Sequence, residues 1–118
     1  MQAQPVSYNI GDLNEWYQKG KIILQPKFQR REVWSNKARS YLIDTIVRGL
    51  PVPKVYIRQK IDLNTKRSIR EVVDGQQRLK AVFDFLDGNI VISKIHNQEY
   101  GSLTFNEFSD IDKKKFLR

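Results

Sequence analysis

The sequence predicts a single domain that mixes helices with strands. Three observations carry this: a length of 118 residues, a hydrophobic content of 40%, and apolar spacing that switches repeatedly between helical and extended periods. Independently folding units run to roughly 100–150 residues, so the length matches one of them. With 11% aromatic residues, and only 6 Gly and 4 Pro, the chain can build a core and lacks the composition of a disordered segment.

The elements follow in order. Leu13, Trp16 and Tyr17 at i, i+3, i+4 predict a short amphipathic helix over 12–19, with Asp12 as N-cap and Gly20 as stop. Ile22-Ile23-Leu24 reads as a brief strand. The stretch from Gln25 to Trp34 has neither period, and Pro26 opposes helix, so an ordered loop with two aromatic anchors is expected. Ser35 is placed to cap a helix running to Arg48, in which Ala38, Leu42 and Ile46 lie four apart and Gly49 is the stop. Val55–Gln59 and Ile69–Val73 are β-rich, and the polar run between them predicts a hairpin. After Asp74-Gly75 the period becomes helical, through Leu79, Val82, Phe83 and Leu86, until Gly88. A further strand is expected at Ile90–Ile92, a helical turn at 105–108, and a last helix capped by Asp110. No repeat or linker interrupts 1–118, which reads as one unit truncated at its C-terminal edge.

Absences exclude several chemistries. Zero cysteines remove disulfides, thiolate metal sites and cysteine nucleophiles. One histidine, His96, cannot build a multi-histidine zinc site, and it is assigned no role. No apolar run approaches the roughly 18 residues of a membrane span, and the first five residues lack signal-peptide character, so a cytoplasmic protein without membrane partners is expected. The formal charge of +8 points to an anionic partner. It is concentrated in residues 1–60, with 11 basic and 4 acidic residues against 10 and 9 in the remainder.

One junction could carry chemistry. A strand ending at Asp74-Gly75, followed by Gln76-Gln77-Arg78 in the first helical turn, presents backbone N–H groups without intrahelical partners at the positive end of a helix dipole. Gly75 allows close approach, Arg78 offers a two-pronged guanidinium, Asp74 offers a magnesium ligand or a group that orients water, and Gln76 and Gln77 offer amides. A purely structural reading stays open: Asp74 caps the helix, Gly75 makes the turn, and Arg78 is an exposed helical residue. Asp44 and Asp84 are metal ligands by type only, since their spacing with Asp74 fits no defensible pattern, and Asp84 is expected to face solvent.

Three blocks in order resemble the N-terminal domain of the GmrS/GmrSD-type restriction endonucleases. They are Gln25-Pro26-Lys27-Phe28-Gln29-Arg30 with Val33-Trp34, Leu42-Ile43-Asp44-Thr45-Ile46 with Gly49-Leu50-Pro51-Val52-Pro53, and Val73-Asp74-Gly75-Gln76-Gln77-Arg78-Leu79. The resemblance implies an α+β domain of the ParB/sulfiredoxin-like fold, a small mixed sheet with flanking helices, whose Asp-Gly-Gln-Gln-Arg turn binds nucleotide phosphates. By the same resemblance Asp74, Gln77 and Arg78 are the catalytic residues of a nucleoside triphosphatase, with Asp74 as the Mg²⁺ ligand. Gln29, Arg30, Gly75 and Gln76 join them in holding the nucleotide, Gln29 or Arg30 lies near Arg78, and Phe28 packs. Sulfinic acid repair, which sulfiredoxin performs through a cysteine, is excluded. Family members continue further, often into a nuclease domain, so a nuclease in the same or a partner chain is expected, with DNA as a partner. Two other functions compete: a DNA-binding or DNA-cleaving ParB-like module built on the basic first half, and a partner-binding domain anchored by Trp16, Tyr17 and Trp34. No Gly-x-x-x-x-Gly-Lys is present, so this is not a P-loop enzyme.

Overall fold

In the computed structural model, which describes residues 8–24 and 34–118, helices pack around a three-stranded mixed sheet. The first helix, α1 (Ile10–Gln18), starts earlier than the apolar spacing suggests. Asn9, in extended conformation, is its cap: the Asp12 N–H donates to Asn9 Oδ1 at 2.6 Å, so Asp12 lies inside the first turn. After it, β1 (Ile22–Ile23) is only two residues long. Helix α2 (Asn36–Val47) is capped by Ser35 as its sequence predicts, with Ser35 Oγ accepting from the Ala38 N–H at 3.1 Å.

The hairpin consists of β2 (Tyr56–Asp62) and β3 (Arg67–Asp74), both longer than their β-rich centres. These strands are antiparallel, while β1 runs parallel to β3 on its other side and pairs in register with Arg70 and Glu71. The order β1-β3-β2 makes a mixed sheet, and with its flanking helices an α+β fold. From β3 the chain passes through Gly75 into α3 (Gln76–Leu86), so the expected strand-to-helix switch is present. A 3-10 turn (Phe105–Glu107) and α4 (Asp110–Leu117) complete the chain. Ser109, not Asp110, caps α4, accepting from the Asp112 N–H at 3.2 Å.

The expected strand at Ile90–Ile92 does not form. Ile92 is fully buried and its carbonyl accepts from the Ser102 N–H at 2.8 Å, so the apolar run serves core packing from an irregular segment. A short apolar run carries burial information without choosing between pairing partners.

The core lies between α3 and everything around it. Leu79, Val82, Phe83 and Phe85 of α3 are buried with Leu13, Ile22, Ile43, Val72 and Ile92. Tyr17 stacks on Phe83 at 4.3 Å between ring centroids, and Trp16 lies under the Arg70 guanidinium at 3.8 Å. Both rings are therefore occupied within the domain. Among the described residues no helix is long and apolar enough to cross a membrane.

Candidate functional site at the β3–α3 junction

Gly75 turns the chain from strand to helix with φ of 98°, a left-handed conformation that side chains resist. Space makes a second demand. A Cβ on Gly75 would meet Val55 Cγ2 at 2.8 Å and Arg78 Nη2 at 3.1 Å, so Val55 and the guanidinium close over the glycine. The Gly75 carbonyl accepts from the Leu79 N–H at 3.0 Å, which starts the helix. Gly75 brings no capping side chain to this end, in contrast to Asn9, Ser35 and Ser109 at the other α-helices. Among the described residues no side-chain oxygen accepts from the first-turn N–H groups of Gln77 and Arg78, which lie at the positive end of the helix dipole.

The named side chains divide into three kinds. Gln76 is buried, and its amide nitrogen donates to the carbonyls of Val72 and Val73, each at 3.0 Å, which ties the helix start back onto β3. Arg78 donates from Nη2 to the Lys54 carbonyl at 2.8 Å, while its Nε is buried without a hydrogen-bond partner among the described residues. Arg78 is half-buried, so the alternative of a plain exposed helical residue does not describe it. Arg78 pins the extended segment before β2, and it carries a further desolvated donor. Asp74 is exposed and Gln77 half-buried, and neither side chain holds a hydrogen bond or ion pair among the described residues. Gln29 and Arg30, with Phe28, lie outside the described residues.

Asp44 and Asp84 do not converge on Asp74. Asp44 is buried between Arg48, at 2.9 Å, and the Asn97 amide, at 2.9 Å. Asp84 pairs with Arg39 at 3.1 Å and Lys80 at 3.4 Å and is 16% exposed, so it faces α2 and not solvent. No group of three His, Asp or Glu able to hold a metal occurs among the described residues. A carboxylate beside an uncapped helix start still suits magnesium, which commonly binds through one or two carboxylates with phosphate oxygens and water completing its shell.

Lys54 and Val55, which complete the junction, went unmarked in sequence; Pro51 and Pro53 were the available signal, since they force an extended approach. A separate cavity of about 830 Å³ lies between the first turn of α2 and residues 89–96. There Ser40 Oγ accepts from the Ser93 N–H and sits 2.7 Å from His96 Nδ1, so His96 fixes the loop against α2.

The model of the GmrSD restriction endonuclease N-terminal domain matches residues 13–118. The chain belongs to that family. No curated protein and no solved structure matches it. Membership in the GmrSD N-terminal domain family gives a restriction and phage-defence context for residues 13–118, junction included.

Proposed function

We propose that this GmrSD-family domain binds a nucleoside triphosphate at the β3–α3 junction and hydrolyses it. The observation that carries the reading is the buried, unpartnered Nε of Arg78 beside an uncapped helix start entered through a left-handed glycine. An unmet guanidinium donor buried next to the first-turn N–H groups of Gln77 and Arg78 favours a ligand rich in anionic oxygens. Phosphate supplies them. The exposed Asp74 carboxylate adds the ligand for Mg²⁺, which would offset charge on the phosphate oxygens when bound.

In the hydrolytic step the Gln77 amide orients a water molecule whose oxygen attacks the terminal phosphorus. The bond from that phosphorus to the bridging oxygen breaks, the diphosphate leaves, and the water's proton passes to solvent or phosphate. Arg78 and the first-turn N–H groups hold the oxygens on which charge grows. Gln76 acts indirectly, because its amide fixes the helix start to β3.

Thermal melting with each ribonucleotide and deoxynucleotide triphosphate, with and without Mg²⁺, tests the site. Saturation at a hundred times Kd stabilises by about 2.7 kcal/mol, a readily measured shift. Calorimetric titration of Arg78→Ala is expected to show binding weaker by about 1.5–3 kcal/mol, or roughly ten- to a hundredfold, with partial recovery in Arg78→Lys. Lys114→Ala, on the exposed face of α4, should bind as the parent does. No shift with any triphosphate, or equal losses in Arg78→Ala and Lys114→Ala, overturns the reading.

A further inference from the structure

Among the described residues, the outer half of the β2–β3 hairpin stands exposed, with no helix packed on it. Since β1 pairs only with Arg70 and Glu71, residues 59–68 form a two-stranded ribbon, and all of them are exposed except the half-buried Asp62. Ile61 is 64% and Leu63 85% exposed. A bare ribbon with apolar residues near its tip is marginal in water, and such an element is retained most economically as a binding surface.

Its charge selects the partner. Residues 54–70 hold six basic residues and one acidic, more than half of the chain's net charge. Two of the six are occupied: Arg58 donates to Glu71 at 2.7 Å, and Arg70 covers Trp16. Lys60, Lys66 and Arg67 are exposed and hold no ion pair among the described residues. The strand register pairs Asp62 with Arg67 and Lys60 with Ile69, which puts Lys60 and Arg67 on one face, with Lys66 in the turn beside them. Ile61 lies on the opposite face. Self-association through the β2 edge is disfavoured, because antiparallel pairing about Gln59 would bring Arg58 of one copy against Lys60 of the other.

We propose that this ribbon is an arm that grips the phosphate backbone of double-stranded DNA, with Lys60, Lys66 and Arg67 on phosphates and Leu63 reaching into the groove. A two-stranded ribbon fits the width of the major groove, and lysine and arginine supply the sequence-independent part of such binding. The restriction-endonuclease family of the chain makes DNA the anion at hand. The arm does not depend on nucleotide at the junction.

Anisotropy of a labelled DNA duplex, titrated with the whole chain in the absence of nucleotide and at several salt concentrations, tests this. The variant Lys60→Gln/Lys66→Asn/Arg67→Gln removes the three charges; asparagine suits position 66, where φ is 61°. Binding is expected to weaken by about tenfold or more near 0.1 M salt, and the slope of log K against log salt to become shallower by about 2.7, as for three lost phosphate contacts. Lys113→Gln/Lys114→Gln/Lys115→Gln, which removes the same charge from α4, should retain most of the affinity. Circular dichroism melts confirm that both variants fold. The proposal fails if the parent chain binds no duplex, or if the two triple variants lose affinity equally. It also fails if sedimentation shows the ribbon variant breaking a dimer while duplex binding is unchanged.

Discussion

At Gly75 the backbone and the packing ask for the same residue for different reasons. The left-handed φ costs a non-glycine residue about 1–2 kcal/mol, and a Cβ would also press on Val55 Cγ2 at 2.8 Å. Val55 sits in the segment that Arg78 pins through the Lys54 carbonyl, so a displaced Val55 disturbs the Arg78 anchor as well. Gly75→Ala is therefore expected to lose about 2 kcal/mol or more, measured by urea unfolding followed through tryptophan fluorescence. A loss below half of that would mean that the junction relaxes freely and does not hold a fixed geometry. Arg78 has two duties here, holding the segment before β2 and offering Nε. Its alanine variant should consequently melt somewhat below the parent even without ligand, by about 0.5–1.5 kcal/mol for the lost hydrogen bond.

Among the elements, α4 is fastened by a polar contact as well as by Phe116. Tyr100 donates its hydroxyl to Asp112 Oδ2 at 3.0 Å, across from α2's C-terminal end. That hydrogen bond, with burial and the carboxylate's charge added, raises the phenol above its ordinary value. A folded value raised over the unfolded one stabilises the protonated form, so the contribution is complete below about pH 10 and disappears as pH climbs through the folded value. Tyr100→Phe should melt lower than the parent at neutral pH, and the gap should close only as the pH is raised above about 10 in thermal melts. The absence of a gap at neutral pH would show that Tyr100 contributes by packing on Phe108 alone, where the ring centroids are 5.0 Å apart, since phenylalanine keeps that ring. Helix caps show where element boundaries were readable. Ser35 was found because a serine stood directly before an apolar period; Asn9 and Ser109 were missed because an aspartate lay nearer the first periodic residue, and the capping oxygen belongs one to three residues earlier.

For the whole molecule, the order of helix, hairpin and helix was legible because each has a distinct apolar period, and so was the junction, where the period changes across Asp74-Gly75. What periodicity does not encode is which surface an element meets. Asp84 looked solvent-facing on its own helix and turned out to face Arg39 across from α2, while Ile90–Ile92 looked like a strand and proved to be a core segment without a neighbouring strand. Arg78's grip on Lys54 was hidden for the same reason, since the two residues are 24 apart in sequence. These long-range contacts converge on α3, which carries the junction at one end and the main aromatic cluster at the other. Phe85 is fully buried, with ring centroids 6.0 Å from Phe105, 5.6 Å from Phe108 and 5.2 Å from Phe116, so a single side chain joins α3 to the 3-10 turn and to α4. Phe85→Ala should cost about 3–5 kcal/mol, against a total stability of roughly 5–15 kcal/mol for a domain of this kind. Phe85→Leu, which keeps most of the volume, should cost less than half as much. If α3 moves as one rigid rod, the folded fraction of Phe85→Leu will also bind triphosphate more weakly, because a tilt at Phe85 displaces Gln77 and Arg78 at the far end. Urea unfolding gives the first two quantities and calorimetric titration the third. An unchanged affinity at reduced stability would show that Gly75 and the Gln76 bonds to Val72 and Val73 fix the junction independently of the aromatic cluster.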